Sequence, residues 1–385
     1  MTHSSQQRRY LDNAATTWPK PEAVLAAWER AARVVGVAAG RGAYREALEA
    51  DAIRARARAR AAALLGGVDP ARVALPTGAT LALNMAIHGI IRPGDHVIAT
   101  AADHNATLRP LHALATRGVV TLTIVPCDGM GRVDPDAVAA AWRPQTRAIV
   151  CSHASNVTGA LQDAAAFAAI AHARGGLLVL DAAQSLGQVP LGGVAAWNAD
   201  VVVAPAHKWL HGMAGVAILR VREGIEIDPL VQGGTGSASD SLDMPTPFSD
   251  RLEVGTPDLP ALAALDAAAA WLTEETVDAV GGRCRSLAAA CADALGRIRG
   301  VRVFAALAGG PPIVSFTLQG YDPAELAALL EQAAGVQARS GFHCAARVHE
   351  CLGTQAGGTV RLAFGPFNSA ADVTAVGAAV EQFAP

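Results

Sequence analysis

Aromatic and charged side chains are both scarce in this chain of 385 residues. Aromatic residues make up 4% of the sequence and charged residues 17%, whereas 51% of the residues are hydrophobic. This composition is typical of a globular protein whose core is built from Ala, Val and Leu. The basic residues form no dense block and the formal net charge is −3, so we expect no nucleic-acid partner.

Signals for export, membrane insertion and metal binding are also lacking. The N-terminal segment MTHSSQQRRY has no apolar stretch of the secretory kind, and no apolar run is long enough to cross a bilayer. The six cysteines include no CxxC pair and have no regular spacing, which argues against a disulfide framework and a zinc site. We therefore expect a cytoplasmic protein with reduced thiols, no metal and no membrane contact.

Short apolar runs alternate with Ala-rich stretches of helical length from about residue 64 onward. Strands that alternate with helices indicate crossover units and a mostly parallel sheet. Such sheets bind ligands at the carboxyl ends of their strands. The predicted strands are residues 72–75, 96–100, 119–125, 148–152, 177–181, 201–204 and 216–220.

The sequence changes character after residue 230. Residues 231–258 are rich in Gly, Ser, Pro and Asp and predict a long loop. Helices at 259–273 and 276–298 follow, and then a mixture of further strands and helices. The predicted fold class is α/β, with a large domain over residues 20–258 and a smaller α+β domain that combines residues 1–19 with 259–385.

Two predicted strands end near residues that could do chemistry. Asp181 ends the apolar run LLVLD, where a carboxylate needs a cation or a donor, although an N-cap for the following turn is an equal alternative. Lys208 follows the strand 201–204 in the segment PAHKW, where it could also be a surface residue. The interval of 27 residues between the two, filled by one helix-like stretch and one strand, favours a joint role.

These positions lie within motifs of a known family. The chain resembles the fold-type I enzymes of aminotransferase class V, which depend on pyridoxal 5′-phosphate (PLP), and within them the cysteine desulfurase and selenocysteine lyase group. The likeness runs from about residue 10 to the end of the chain. The matching segments, in order, are YLDNAATTWPKPEAV, TGATLALN, DHNATLRPL, SNVTGAL, DAAQSLG, HKWLHGMAGVAIL, EVGTPD and RSGFHCA.

The resemblance implies a large domain with a seven-stranded sheet and a PLP site on it. It implies that Lys208 carries the cofactor aldehyde as a Schiff base and later moves protons, and that Asp181 pairs with the pyridine nitrogen. It implies that His104 stacks on the ring face, with a possible acid or base role. The remaining implied cofactor ligands, around the phosphate and the phenolic oxygen, are Gly78, Ala79, Thr80, Asn156, Gln184, His207 and, from a second subunit, Thr256.

The substrate groups follow from the resemblance in the same way. It implies that Arg361 binds the substrate carboxylate, with Arg339 and Arg41 as further candidates. Cys344 is implied as the thiolate that takes sulfur from L-cysteine as a persulfide while L-alanine leaves, and His343 and Arg339 could favour its ionised form. The implied partners are L-cysteine or L-selenocysteine, a sulfur-acceptor protein and a second copy of the chain, in a homodimer with shared active sites.

Two departures and two alternatives stand beside this interpretation. Pro205 and Ala206 occupy the positions where the family has Ser or Thr and then Gly, and proline offers neither a hydroxyl nor an N–H to a phosphate. One alternative is another class V reaction, such as a C–S or C–Se lyase, an aminotransferase or an epimerase; it would not need Cys344, which would then only fill a gap. The other is a non-catalytic scaffold, against which the presence of both Lys208 and Asp181 argues.

Overall fold

The computed structural model describes residues 7–40, 42–189 and 197–385. Within these ranges the strands form sheets of seven, four and two strands. The strands are β1 Arg9–Tyr10, β2 Val73–Ala74, β3 His96–Thr100, β4 Thr121–Val125, β5 Thr146–Ser152, β6 Leu177–Asp181, β7 Val201–Pro205, β8 Ala217–Val221, β9 Val301–Phe304, β10 Ile313–Leu318, β11 Val336–Gln337, β12 Arg339–Gly341 and β13 Thr359–Ala363.

The helices lie between and after these strands, as the alternating pattern predicts. A π-helical turn at Ala31–Val35 and a 3₁₀ turn at Pro70–Arg72 accompany them. The α-helices are α1 Glu22–Arg30, α2 Arg45–Leu64, α3 Ala79–Ile90, α4 Asn105–Thr116, α5 Pro135–Ala140, α6 Ala164–His172, α7 Phe248–Leu252, α8 Leu259–Glu275, α9 Val277–Gly296, α10 Pro323–Ala334, α11 Ala346–Leu352 and α12 Ala370–Glu381.

The large sheet has the strand order β2-β8-β7-β6-β5-β3-β4. All pairs from β7 to β4 are parallel, whereas β8 runs antiparallel to both β7 and β2. The prediction of a mostly parallel seven-stranded sheet is therefore confirmed. Strand β2 is shorter than predicted because the Leu75 amide donates to Glu253 Oε1 (2.7 Å) and so leaves the ladder.

The central strands are apolar on both sides because helices cover both faces of the sheet. In β6, Leu178 and Leu180 belong to one core cluster, together with residues of α2, α6 and α8. Leu177 and Val179 point the other way, into the cluster that includes residues of α3 and α4. Polar groups are thereby displaced to the strand ends, which is where the site forms.

The smaller, antiparallel sheet has the order β12-β13-β10-β9, and its core includes apolar residues of α9, α10 and α12. Helix α8 packs elsewhere: its residues from Leu259 to Leu272 lie in the core of the large sheet, against α1 and α2. The separate antiparallel sheet fits the expected α+β region. The division of the chain at residue 258 stays a prediction.

Asp–Leu–Pro and Asp–Pro sequences begin two of the helices. Asp258 Oδ1 accepts from the Ala261 amide (3.0 Å) at the start of α8, and Asp322 Oδ1 accepts from the Ala324 amide (2.8 Å) at the start of α10. A proline in the first turn costs no hydrogen bond, because that N–H has no partner within the helix. No helix in the described ranges is long and apolar enough to cross a membrane.

One glycine near Lys208 offers a test of the packing at the strand ends. Gly187 has φ +92°, and a β-carbon there would meet the Trp209 carbonyl. We expect Gly187→Ala to lower the free energy of unfolding by about 3 kcal/mol, since left-handed strain and overpacking add together. Gly175→Ala is the matched control, because Gly175 has φ +71° and open space beside it. Equal losses in the two variants, measured by urea unfolding, would contradict the close contact.

Candidate active site

A cavity of about 420 Å³ lies at the carboxyl ends of β3, β5, β6 and β7. The structure thus brings most of the predicted residues to one place, from segments far apart in the sequence. Eleven of them line the cavity: Gly78, Ala79, Thr80, His104, Asn156, Asp181, Gln184, His207, Lys208, Arg339 and Arg361.

Lys208 is the residue whose amine lines this cavity. Burial lowers the pKa of its amine to about 8; the Asp181 carboxylate raises it, and the Arg361 and Arg339 guanidinium groups lower it further. An amine with that pKa exists in both protonation states near neutral pH. It can therefore act as a nucleophile and can also hold and release a proton.

Asp181 is buried at the end of β6. Its Oδ1 accepts from the Ala183 amide (2.9 Å), so it does cap the turn that follows, as the alternative interpretation expected. Burial nevertheless raises the pKa of this carboxyl, against the lowering effects of the Ala183 amide, Lys208 and the Ser152 hydroxyl. A cation in the cavity would therefore stabilise the ionised form of Asp181.

A second buried carboxylate, Asp103, was not among the predicted site residues. It accepts from the amides of Thr100 (2.7 Å) and Ser152 (2.6 Å) and so joins the ends of β3 and β5. Burial raises its pKa to about 7, and the negative charge of Asp181 adds to the effect. The available signal was its place directly after the predicted strand 96–100, next to His104.

One end of the cavity is suited to a phosphate. Gly78 is the N-cap of α3 and provides no side-chain cap, so the first N–H groups of the helix are free to bind an anion, and the space beside Gly78 is open. Burial, with Lys208 and Lys20, lowers the pKa of His207 to about 4, so this ring is neutral. Pro205 also lines this wall and has no N–H to offer.

His104 begins helix α4 and faces the cavity. Its Nδ1 accepts from the Ala106 amide (3.0 Å), and burial followed by the charges of Lys208, Arg339 and Arg361 lowers its pKa to about 4. A neutral imidazole that accepts at Nδ1 carries its proton on Nε2. His104 can thus stack on a ring or donate from Nε2, whereas a base role would require another tautomer.

The two predicted amides are already partly engaged. Gln184 Nε2 donates to the Ala14 carbonyl (2.9 Å), and its Oε1 accepts from Trp209 Nε1 (2.6 Å). Asn156 Nδ2 donates to the His343 carbonyl (2.6 Å), while its Oδ1 is buried and has no partner in the structure. Each amide keeps one N–H for a ligand.

Arg361 is fully buried and fixed from two directions. Its Nη1 donates to the Asn156 carbonyl (2.9 Å), and its Nη2 forms an ion pair with Asp12 (2.6 Å). The buried Nε has no partner, which is costly for a charged group unless a ligand supplies one. A carboxylate in the cavity would meet that need.

The loop that carries Cys344 has an unusual backbone. His343 and Cys344 both have positive φ, +51° and +59°, and the carbonyl of Cys344 accepts from the Asn105 amide (2.7 Å). Cys344 is exposed, and Arg339 Nη2 lies 3.2 Å from its sulfur. His343 Nε2 contacts Thr359, and burial holds the pKa of the ring well below its ordinary value, so the expected contribution of His343 to the thiolate stays a prediction.

Of the other three predicted residues, Cys344 does not line the cavity but lies against Arg339, which does. Thr256 is exposed and lines a separate hollow with Leu75, Pro76 and Thr77. Arg41 lies outside the described residues. Among the described residues, no group of three or more His, Cys, Asp and Glu side chains could hold a metal ion.

Comparison with known proteins identifies the family. The chain matches the family Aminotransferase class-V over residues 9–376. The chain belongs to aminotransferase class V.

Its relatives within class V include named cysteine desulfurases. Cysteine desulfurase CsdA of Escherichia coli is 30% identical over 381 residues, which is 97% of this chain and 93% of the relative. The solved structure of the same enzyme has a TM-score of 0.86 and covers 97% of this chain and 94% of that one, at 29% identity. The apo structure of a cysteine desulfurase from Thermococcus onnurineus NA1 has a TM-score of 0.89 with the same coverage, at 25% identity. These findings confirm the predicted resemblance and the predicted fold.

The contact between Arg339 and Cys344 predicts a reactive thiol. A guanidinium 3.2 Å from the sulfur can hydrogen-bond to the thiolate that reacts with alkylating agents. We expect Arg339→Gln to slow alkylation of Cys344 by iodoacetamide about twofold to fivefold. Arg347→Gln is the matched control, because Arg347 is exposed and pairs with Glu350 (2.9 Å). The alkylation rates are measured by peptide mass spectrometry. Equal rates in the two variants would contradict the role of Arg339 in stabilising the thiolate.

Proposed function

We propose that this chain is a PLP-dependent cysteine desulfurase. It would convert L-cysteine to L-alanine and pass the sulfur, through a persulfide on Cys344, to an acceptor. The observation that carries the proposal is the cavity itself: a desolvated Lys208 and a buried Asp181 line it, and Arg339 joins its wall to the thiol of Cys344 (3.2 Å). The relatives named cysteine desulfurase support the same reaction.

The cavity fits PLP group by group. Lys208 would hold the aldehyde, Asp181 the pyridine nitrogen, and His104 one face of the ring. The free N–H groups at the start of α3, with Thr80 and the neutral His207, would hold the phosphate. When bound, PLP supplies an electron sink that stabilises negative charge on the substrate carbon.

The substrate carboxylate would bind at Arg361. The buried Nε of Arg361 has no hydrogen-bond acceptor, and a substrate carboxylate would supply one. Asp12 and the Asn156 carbonyl fix the guanidinium plane. Arg339 is close enough to Cys344 to place a second positive charge near the substrate sulfur.

Proton transfer is assigned to Lys208. With a pKa of about 8, its amine can take a proton from the substrate α-carbon and return one near neutral pH. Cys344 then forms an S–S bond with the substrate sulfur as the C–S bond breaks. The electron pair of the broken bond remains on the substrate β-carbon, which takes one proton. The α-carbon regains the proton held by Lys208, and the product leaves as L-alanine.

The proposal includes a homodimer in the cytoplasm. Thr256 is exposed beside the first turn of the α3 region and would reach the phosphate site of a second copy. An acceptor protein would collect sulfur from Cys344, whose exposure permits contact.

Mixing Lys208→Ala subunits with Thr256→Ala subunits tests the shared site, since complementation requires residues from both copies.

Cys344→Ala is the decisive variant for the reaction. We expect the cofactor to remain bound, since Cys344 does not line the cofactor cavity, whereas persulfide formation and alanine release from L-cysteine should fall by at least about 10²-fold. Intact-mass spectrometry after brief cysteine treatment should show one added sulfur in wild type. Cys351→Ser is the control, because Cys351 is half-buried on the nearby helix α11. Alanine release at the wild-type rate by Cys344→Ala would favour another class V reaction.

Asp181→Asn separates a capping role from an electronic one. Asn caps a turn as well as Asp does but has no negative charge to keep a pyridine nitrogen protonated. We expect kcat to fall by about 10²-fold while the thermal midpoint stays near that of wild type. Asp163→Asn is the control, because Asp163 also accepts from a main-chain amide as a cap (2.9 Å to the Ala166 amide) and does not line the cavity. Near-normal turnover in Asp181→Asn would leave the cap as the only role of Asp181.

A further inference from the structure

Lysine is almost absent from this chain. Only two of its 31 basic residues are lysines, Lys20 and Lys208, and the rest are arginines. The proposed function accounts for Lys208, since only a primary amine can hold the cofactor aldehyde. It leaves Lys20 unexplained, 188 positions away in the sequence.

The structure brings the second lysine to the peptide of the first. Lys20 Nζ donates to the carbonyl oxygen of His207 (2.8 Å), the residue directly before Lys208. It also donates to Thr17 Oγ1 (2.8 Å). The hydroxyl of Thr17 in turn contacts the carbonyl oxygen of Lys208 itself (3.0 Å).

The His207 carbonyl is the meeting point of an unusual number of donors. Besides Lys20, it receives the Thr16 hydroxyl (3.0 Å) and the Thr17 amide (3.1 Å), and the Thr17 hydroxyl lies 3.2 Å away. A single buried carbonyl needs one or two such partners. The His207 carbonyl therefore has more contacts than it needs to satisfy its hydrogen bonding. These contacts restrict the motion of the peptide group that precedes Lys208.

We propose that Lys20, acting with Thr16 and Thr17, is a positioning residue that fixes the backbone of Lys208 through the carbonyl of His207. The inference rests on the proposed function, because it concerns the alignment of the amine that would hold the cofactor. Alignment of a reacting group within fractions of an ångström strongly affects rate. Lys20 contacts the main chain of His207 and not the Lys208 amine, so the amine stays free to react.

Lysine suits this position better than arginine. The ammonium is compact and fits between a hydroxyl and a carbonyl, whereas a guanidinium is planar and larger. Burial lowers the pKa of Lys20 to about 8, so the group remains largely charged at neutral pH. Its charge, after burial and Lys208, also lowers the pKa of His207 and helps to keep that ring neutral.

The test uses full-length protein reconstituted with PLP. Lys20→Met removes the charge and both donated hydrogen bonds, and Thr17→Val removes only the hydroxyl. Thr17→Ser restores the hydroxyl and is the rescue variant. Thr374→Val is the matched control, because Thr374 is exposed on α12 and its hydroxyl donates only to the Ala370 carbonyl (3.1 Å).

Three measurements are made on each protein: the pH midpoint of the visible absorbance band of the Lys208–cofactor linkage, the rate at which hydroxylamine releases the cofactor, and kcat with KM for L-cysteine. In Lys20→Met we expect the midpoint to move to higher pH, since loss of a nearby positive charge makes protonation of the linkage easier. In Lys20→Met and Thr17→Val we expect faster release and a kcat lower by roughly tenfold or more, with KM within about twofold. Thr17→Ser and Thr374→Val should behave as wild type.

The outcomes separate this inference from the proposed function. A wild-type protein without the visible band would overturn the proposed function itself. A wild-type band together with unchanged midpoint, release and kcat in Lys20→Met and Thr17→Val would overturn only the positioning role, even if both variants melt at lower temperature. If Lys20→Met does not fold, the comparison of Thr17→Val with Thr17→Ser still decides the matter.

Discussion

The burial of charged groups at the strand ends is the constraint on which the rest of this structure depends. Lys208 has a pKa of about 8 because its amine is removed from water, and the same removal raises the pKa of Asp181. Such groups are costly in a protein interior unless they have partners. Each lies at the end of a strand whose remaining residues are apolar, so the sheet concentrates the cost in one cavity, where a ligand can offset it.

The parts of the site that could be predicted from the sequence are those whose signal is local. Asp181 and Lys208 each follow an apolar run, and the spacing of the two runs places both at one edge of a parallel sheet. The predicted bounds of the long strands agree with the structure within a few residues, because the alternation of apolar runs and helices is a short-range property. Helix α8 shows the limit: its bounds were predicted from the apolar pattern, but its packing against α1 and α2 was not.

The contacts that orient the site are non-local, and no pattern in a single sequence identifies which residues pair. Asp12 pairs with Arg361 across 349 residues, and Lys20 reaches His207 across 187. The N-terminal motif YLDNAATTWPK contributed to the family resemblance, yet nothing in its composition indicates which partners its polar residues choose. The rarity of lysine does mark Lys20 as a residue of interest, because a chain that uses arginine at nearly every basic position has lysine at only two.

Asn156 shows how the substrate side and the sulfur side of the cavity depend on each other. The sequence resemblance assigns it to the cofactor ring, but the structure gives it two further tasks. Its main-chain carbonyl accepts from Arg361 (2.9 Å), and its side chain donates to the carbonyl of His343 (2.6 Å). His343 and Cys344 have left-handed backbone conformations, which for residues with a β-carbon cost about 1–2 kcal/mol each and persist only where neighbouring contacts hold them. Asn156 thus helps to position the arginine proposed to bind the carboxylate and also supports the strained turn that presents the thiol. A ligand that moves Asn156 by satisfying its free Oδ1 or its remaining N–H would therefore act on both walls of the cavity together.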